Sequence, residues 1–242
     1  FNSFNSSSIL NNNQNEIIQN IYGKIFVFCG YPGSGKGTCG QIISNLLNIA
    51  HISTGDLFRR EVSLNTPAGK QITQYMEKGQ FVPPELANTI LANRLSEDDA
   101  KRGVILDGFP RSIEHLYDLD TILKPMNRRV EAVIHIDVDE QICIQRLTGR
   151  RNCPQCLTSY NIHSQPPLKE NFCDNCNIQL VQRTDDTEEI IKKRFDLAKT
   201  SLTPLLDELN RRDSLFTLQI NINNQQSQST SLTSSSSSSS SS

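Results

Sequence analysis

Lys36 stands in Gly30-Tyr-Pro-Gly-Ser-Gly-Lys-Gly-Thr38, a glycine-dense turn between an apolar run, Ile25 to Cys29, and a helical pattern. Glycines let backbone N–H groups curl round phosphate oxygens, and a helix N-terminus adds a favourable dipole. Gly33, Ser34, Gly35, Lys36, Gly37 and Thr38 therefore read as a phosphate-binding loop. Lys36 is a point charge for the outer phosphates, and Thr38 offers a hydroxyl towards magnesium. The general pattern wants Ser or Thr directly after the lysine, and here Gly37 intervenes. The alternative is a glycine-rich strand-to-helix turn without a ligand.

Asp107 closes a second apolar run and precedes Gly108. Beside a phosphate loop, a carboxylate there suits magnesium and its water shell; otherwise it caps a turn. Arg59, Arg111, Arg146, Arg150, Arg183 and Arg194 recur beside turns. Guanidinium groups grip phosphoryl oxygens bidentately and neutralise charge developing during transfer, although one or two are expected to be structural. The sequence has no kinase catalytic-loop pattern and no His or carboxylate dyad placed as a general base. An acceptor phosphate is already ionised at neutral pH and needs only positioning, so this inventory favours a phosphate as nucleophile.

Cys153-Pro-Gln-Cys156 and Cys173-Asp-Asn-Cys176 supply four thiolates at a spacing suited to tetrahedral zinc. A four-thiolate shell has no open position, so the zinc would be structural, folding a segment too polar for its own core. Disulfides or unrelated thiols are the alternative. A ribbon of this kind can also bind nucleic acid, but Lys169 is the only Lys or Arg from Cys153 to Cys176. Cys29, Cys39 and Cys143 read as buried thiols, which suits a reducing compartment.

The elements that must position these groups alternate. Strands are expected at 25–29, 103–107, 132–138 and 215–222, with a short apolar piece at 49–52. Helices are expected from the loop onward, where Ile42, Ile43, Leu46 and Leu47 carry the pattern, and at 67–78, from the prolines at 83–84 to near 99, at 112–123 and at 140–147. A long helix carries Ile191, Phe195, Ala198, Leu202, Leu205 and Leu209 on one face, with a bend expected at Pro204. The fold class is α/β, a doubly wound parallel five-stranded sheet with its site at the strands' carboxyl ends. Residues 1–20 and 223–242, rich in Asn, Ser and Gln, are expected to be disordered. Net charge −2 gives no global pull to nucleic acid or membrane, and no apolar run approaches the ~18–20 residues of a span. No Lys or Arg precedes Lys24, which argues against an intact transit peptide. A cytoplasmic monomer is expected, with a mitochondrial location left open.

With these pieces in place, residues 21–212 resemble the adenylate kinase family, long form with a zinc-bearing lid. The motifs are the Gly30–Thr38 loop with its glycine after lysine, Ser53-Thr-Gly-Asp-Leu-Phe-Arg59, Leu106-Asp-Gly-Phe-Pro-Arg111, Arg146-Leu-Thr-Gly-Arg-Arg151 and Arg183-Thr-Asp-Asp186. The resemblance implies a P-loop nucleoside monophosphate kinase fold and reversible, magnesium-dependent conversion of ATP and AMP to two ADP. It implies a donor site of Gly33 to Thr38, Arg150, Ser159 and Tyr160, with Gln219 near the ATP base. It implies an AMP site of Thr54, Arg59, Gln80, Phe81, Val82, Gly108, Phe109, Pro110 and Arg111. Arg183 and Arg194 would reach phosphates, and the moving parts would be an AMP-binding segment, 53–82, and a lid, 149–186. His115 stands where the family usually has a glutamine on the AMP base. The family also commonly adds a helix after the last strand, where this chain turns Gln/Ser-rich. A sibling kinase using GTP as donor to AMP, and a phosphate-loop protein with a nucleic-acid-binding ribbon, are the other readings.

Overall fold

The computed structural model describes residues 20–156, 158–220 and the backbone of 232–233. The extension expected over 1–20 and the tail expected over 223–242 fall almost wholly outside these residues.

Five strands lie parallel in the order β2–β3–β1–β4–β7: Ala50–Ser53, Val104–Asp107, Ile25–Cys29, Val130–Val138 and Leu215–Ile220. This is the expected five-stranded parallel sheet. A two-residue strand, β8 (Leu232–Thr233), pairs antiparallel with the outer edge of β7. From β1 the chain runs to one side, to β2; from β3 it crosses to the other side, to β4. The crevice that such a reversal opens lies at the carboxyl end of β1, where the glycine loop begins.

Alternate residues of β1 feed two cores. Ile25 and Val27 join Leu91, Leu116 and Leu205 on one face, and Phe28 joins Ile105, Cys143 and Phe195 on the other. Both faces are covered, which is why the strands read as continuous apolar runs. The covering helices are α1 (Lys36–Leu47), α4 (Pro84–Leu95), α5 (Ile113–Leu123), α6 (Glu140–Thr148) and α7 (Glu188–Arg211). Only part of the apolar face expected on α1 is used: Ile43 and Leu47 pack inward, whereas Ile42 and Leu46 face solvent. Helix α7 runs unbroken from Glu188 to Arg211 through Pro204, and it contributes to both cores.

Thr54–Ser63 is a helix, α2, in a stretch with no legible helical run. The Ser53 side chain accepts a hydrogen bond from the Asp56 N–H, an N-cap that starts the helix despite Gly55 in its first turn. Helix α3 (Pro67–Met76) follows, and Ile72, Val82 and Ala87 form a small core of their own, with Phe58 against it. The expected helix end near Asp99 falls at Leu95, after which Asp98–Arg102 is a 3-10 turn. The segment after α6 forms an antiparallel hairpin, β5 (Arg150–Asn152) and β6 (Ser159–Asn161), extended by single bridges to Val181 and between Phe172 and Gln179. Among the described residues no helix is long and apolar enough to cross a membrane.

Candidate active site

The phosphate loop is shaped by close approach to α6. Gly33 has φ 83°, and a Cβ there would come within 2.5 Å of the Cys143 carbonyl oxygen. Lys36 folds back into the loop, and its Nζ donates to the carbonyls of Gly30 (3.0 Å) and Tyr31 (2.7 Å) and to Ser34 Oγ (3.2 Å). Burial pulls its pKa down to about 8, against the pull of the Asp107 carboxylate and helped by the Arg111 guanidinium. An ammonium held in this way gains from any anion placed in the loop. Arg146, from α6, donates to the Ser34 carbonyl at 3.3 Å, so its guanidinium borders the same loop.

Opposite the loop, arginines from five parts of the chain converge. Arg111, lining the open cleft, donates to the Gly108 carbonyl at 2.7 Å. Desolvation in the cleft, and then Arg194, draw its pKa down to about 10. Arg183 falls to about 9, first through burial and then through Arg59 and Arg150. Arg194 is lowered too, chiefly by burial. Three carboxylates hold these cations in place. Arg150 makes a bidentate pair with Asp186, 2.7 and 2.6 Å, and Arg194 reaches Asp185 at 3.0 Å and Asp186 at 3.2 Å. Arg59 pairs with Asp56 at 2.6 Å. Burial works against ionisation of Asp56 and Asp185, but the arginines around each outweigh it and hold both carboxyls low. Arg183 donates to Asn152 Oδ1 at 2.8 Å and lies 3.8 Å from Asp56, while Arg59 lies 4.0 Å from Asp185. The last two contacts join α2 to the base of the hairpin segment across a cleft of about 230 Å³.

Beside this cluster Thr54 donates to the Gly108 carbonyl at 2.9 Å. His115 is buried between Phe109, stacked at 4.9 Å, and Phe81, tilted at 5.2 Å. Burial, then Arg111, lower its pKa below the usual histidine value, which favours the neutral ring. Its Nδ1 accepts from the Arg111 N–H at 3.4 Å, so the neutral ring carries its proton on Nε2.

In the hairpin segment the four Sγ atoms of Cys153, Cys156, Cys173 and Cys176 lie within 4.8 Å of one another. A tetrahedral zinc with Zn–S near 2.3 Å would set them about 3.8 Å apart, so the cluster can hold such an ion. The Thr158 hydroxyl pulls Cys156 down to about 6, while hydrogen bonding to Cys156 pushes Cys176 up to about 12. Four thiolates cannot all ionise this close together without a cation between them.

The adenylate kinase family model matches residues 28–214. The chain belongs to the adenylate kinase family. Adenylate kinases of Clostridium novyi (strain NT) and Clostridium perfringens (strain SM101 / Type A) are each 42% identical to it. The first aligns over 192 residues, 79% of this chain and 89% of the relative, and the second over 189 residues, 78% and 88%. An adenylate kinase of Thermoanaerobacter sp. (strain X514) is 40% identical over 195 residues, 81% of this chain and 90% of the relative. Membership makes the protein a nucleoside monophosphate kinase, a phosphotransferase.

Of the residues that the family motifs single out, Lys36, Asp107, Arg59, Arg111, Arg150, Arg183 and Arg194 are brought into one electrostatic neighbourhood. Phe81, Phe109 and His115 form one aromatic group, and Val82 is buried in the small core beside it. Gln80 and Thr38 are exposed. Tyr160 is buried in the hairpin's core instead of facing the cleft. Its hydroxyl takes the Asp174 N–H at 2.9 Å and meets Cys173 Sγ at 3.5 Å. Ser159 Oγ accepts from Asn152 at 2.6 Å, and Gln219 is exposed near the carboxyl end of β7. Asp56, Asp185, Asp186 and Asn152 belong to the site and were not read from sequence as doing so. The Asp-Asp pair after Arg183 was the available signal.

Asp186→Ala would strip Arg150 and Arg194 of a fully buried partner, a loss expected to cost about 3 kcal/mol in urea unfolding. A loss under about 1 kcal/mol would mean that the carboxylate is not what restrains the arginines.

Proposed function

We propose that the protein transfers the γ-phosphoryl group of ATP to AMP, reversibly, giving two ADP. The observation that carries this reading is the convergence of Arg59, Arg111, Arg183 and Arg194 opposite the Lys36 loop, which suits two phosphate chains meeting end to end. Gly33 to Thr38 would cradle the donor phosphates, with Arg146 and Arg150 alongside, Ser159 on the lid side and Gln219 towards the base. Magnesium, when bound with ATP, screens the outer phosphates, and Thr38 and Asp107 would hold it and its waters. Thr54, Gln80 to Val82 and Gly108 to Arg111 would seat AMP. No base is needed, because the attacking AMP phosphate is already an anion. The arginines spread the charge that builds up between the two phosphates, and their carboxylate partners yield to the nucleotides. Closing 53–82 and 149–186 over both would exclude the water that competes as acceptor.

Zinc in the four-cysteine cluster would be structural, with its closed shell stiffening the lid. We read the protein as a monomer acting on free nucleotides; the net charge of −2 and Lys169 as the only Lys or Arg from Cys153 to Cys176 offer little to nucleic acid or a membrane. The cysteines are thiols among the described residues, which supports a reducing compartment such as the cytoplasm.

A donor-by-acceptor assay matrix should show ADP formation from ATP and AMP. Activity with UMP or CMP but none with AMP would overturn the assignment. Elemental analysis of protein purified under reducing conditions should find one zinc per chain, and no stoichiometric metal would remove it from the lid. His115 would offer the AMP base a single Nε2–H donor, where an amide offers a donor and an acceptor. His115→Gln should therefore change the KM for AMP by about 2- to 10-fold, the span of one hydrogen bond, and leave kcat near wild type. An unchanged KM would place His115 away from the base.

A further inference from the structure

Helix α1 carries two glycines one turn apart, Gly37 and Gly40, and each faces a polar side chain of the sheet. A Cβ at Gly37 would lie 3.3 Å from Asp107 Oδ2, and one at Gly40 would lie 2.6 Å from His51 Nε2. In the parallel pairing of β2 with β3, His51 stands beside Ile105 and Ser53 beside Asp107, so His51 and Asp107 are diagonal neighbours under α1. Their side chains are only 10% and 13% exposed, with His51 Nε2 4.0 Å from Asp107 Oδ2. That Nε2 is buried and has no hydrogen-bond partner. An unmet buried polar atom is costly, and Gly40 keeps open the space it occupies, as Gly37 does for the Asp107 carboxylate.

We infer that His51 is a positioning residue for phosphoryl transfer: its Nε2–H, aimed along the Gly37–Gly40 face of α1, fixes the Asp107 carboxylate from behind. The 4.0 Å separation lies about 1 Å beyond a hydrogen bond, so the contact requires the two side chains to close by that much. Asp107 needs such a restraint because Lys36 and Arg111 both pull on it from the cleft side. Donors behind a metal-facing carboxylate set its orientation, and their loss typically costs tenfold or more in affinity or activity. The inference rests on the reading of Asp107 as the carboxylate that organises magnesium and its waters.

The test is calorimetric titration of ATP into the full chain, with and without magnesium, alongside the magnesium dependence of turnover. His51→Leu should bind metal-free ATP within about twofold of wild type, yet lose roughly tenfold of the affinity gain that magnesium confers. His51→Gln, whose amide N–H can reach Asp107, should restore most of that gain. His51→Asn, too short to reach, should not; this pair decides the matter if the leucine variant folds poorly. Asp107→Asn is the benchmark. Magnesium dependence shifted by Asp107→Asn but untouched by His51→Leu or His51→Asn would overturn the role of His51 alone. No shift in any variant would overturn the role of Asp107 as well.

Discussion

Repulsion among guanidinium groups is the constraint under which this site is built. Arg59, Arg111, Arg150, Arg183 and Arg194 crowd one cleft, and burial first, then the neighbouring guanidinium groups, holds Arg111 and Arg183 well below the ordinary arginine pKa. Without restraint, side chains this long would swing apart into solvent. Asp56, Asp185 and Asp186 prevent that, each held ionised or fully buried among its arginines. The carboxylates only partly offset the positive charge. The cleft is preorganised for further negative charge, and polyphosphate is the ligand that supplies it in the right shape.

The fold exists to bring these charges together from distant parts of the chain. Lys36 comes from the loop after β1, Arg111 from the turn after β3, Arg59 from α2, Arg150 from β5 and Arg194 from α7. The strand order reverses at β1, so β1 and β3 end at the same crevice. Helix α7, anchored in both cores, carries Arg194 over that crevice, with Phe195 packed 5.5 Å from Tyr31 of the phosphate loop. The hairpin with its four cysteines is the exception. It has almost no apolar core beyond Tyr160 and Leu180, so a metal held by the four cysteines would supply rigidity that packing does not.

What the sequence disclosed follows from how local each signal is. The Lys36 loop and the buried strands were legible because glycine spacing and apolar runs are local. The cysteine pairs were legible because zinc ligation needs a short, fixed spacing. Arginines could be seen beside turns, but their carboxylate partners could not, since Asp186 meets Arg150 only through tertiary folding. Tyr160 was expected at the nucleotide, and its burial against Cys173 depends on hairpin packing that leaves no periodic trace. Helix α2 was missed because one capping serine starts it and a glycine obscures its first turn. His51 lies inside the short apolar piece at 49–52, and the signal that singles it out is Gly40, which is meaningful only once α1 lies on β2.

Unbalanced positive charge in the cleft is what draws in the nucleotides. The most direct measurement is the thermal stability of the protein with ADP and with adenosine at equal concentration, repeated at low and high salt. ADP should stabilise by about 2.7 kcal/mol at a hundred times its Kd, with the gain shrinking as salt screens the cleft and adenosine adding little. Equal stabilisation by adenosine, or a gain from ADP indifferent to salt, would mean that the cleft's charge is not what binds the nucleotides.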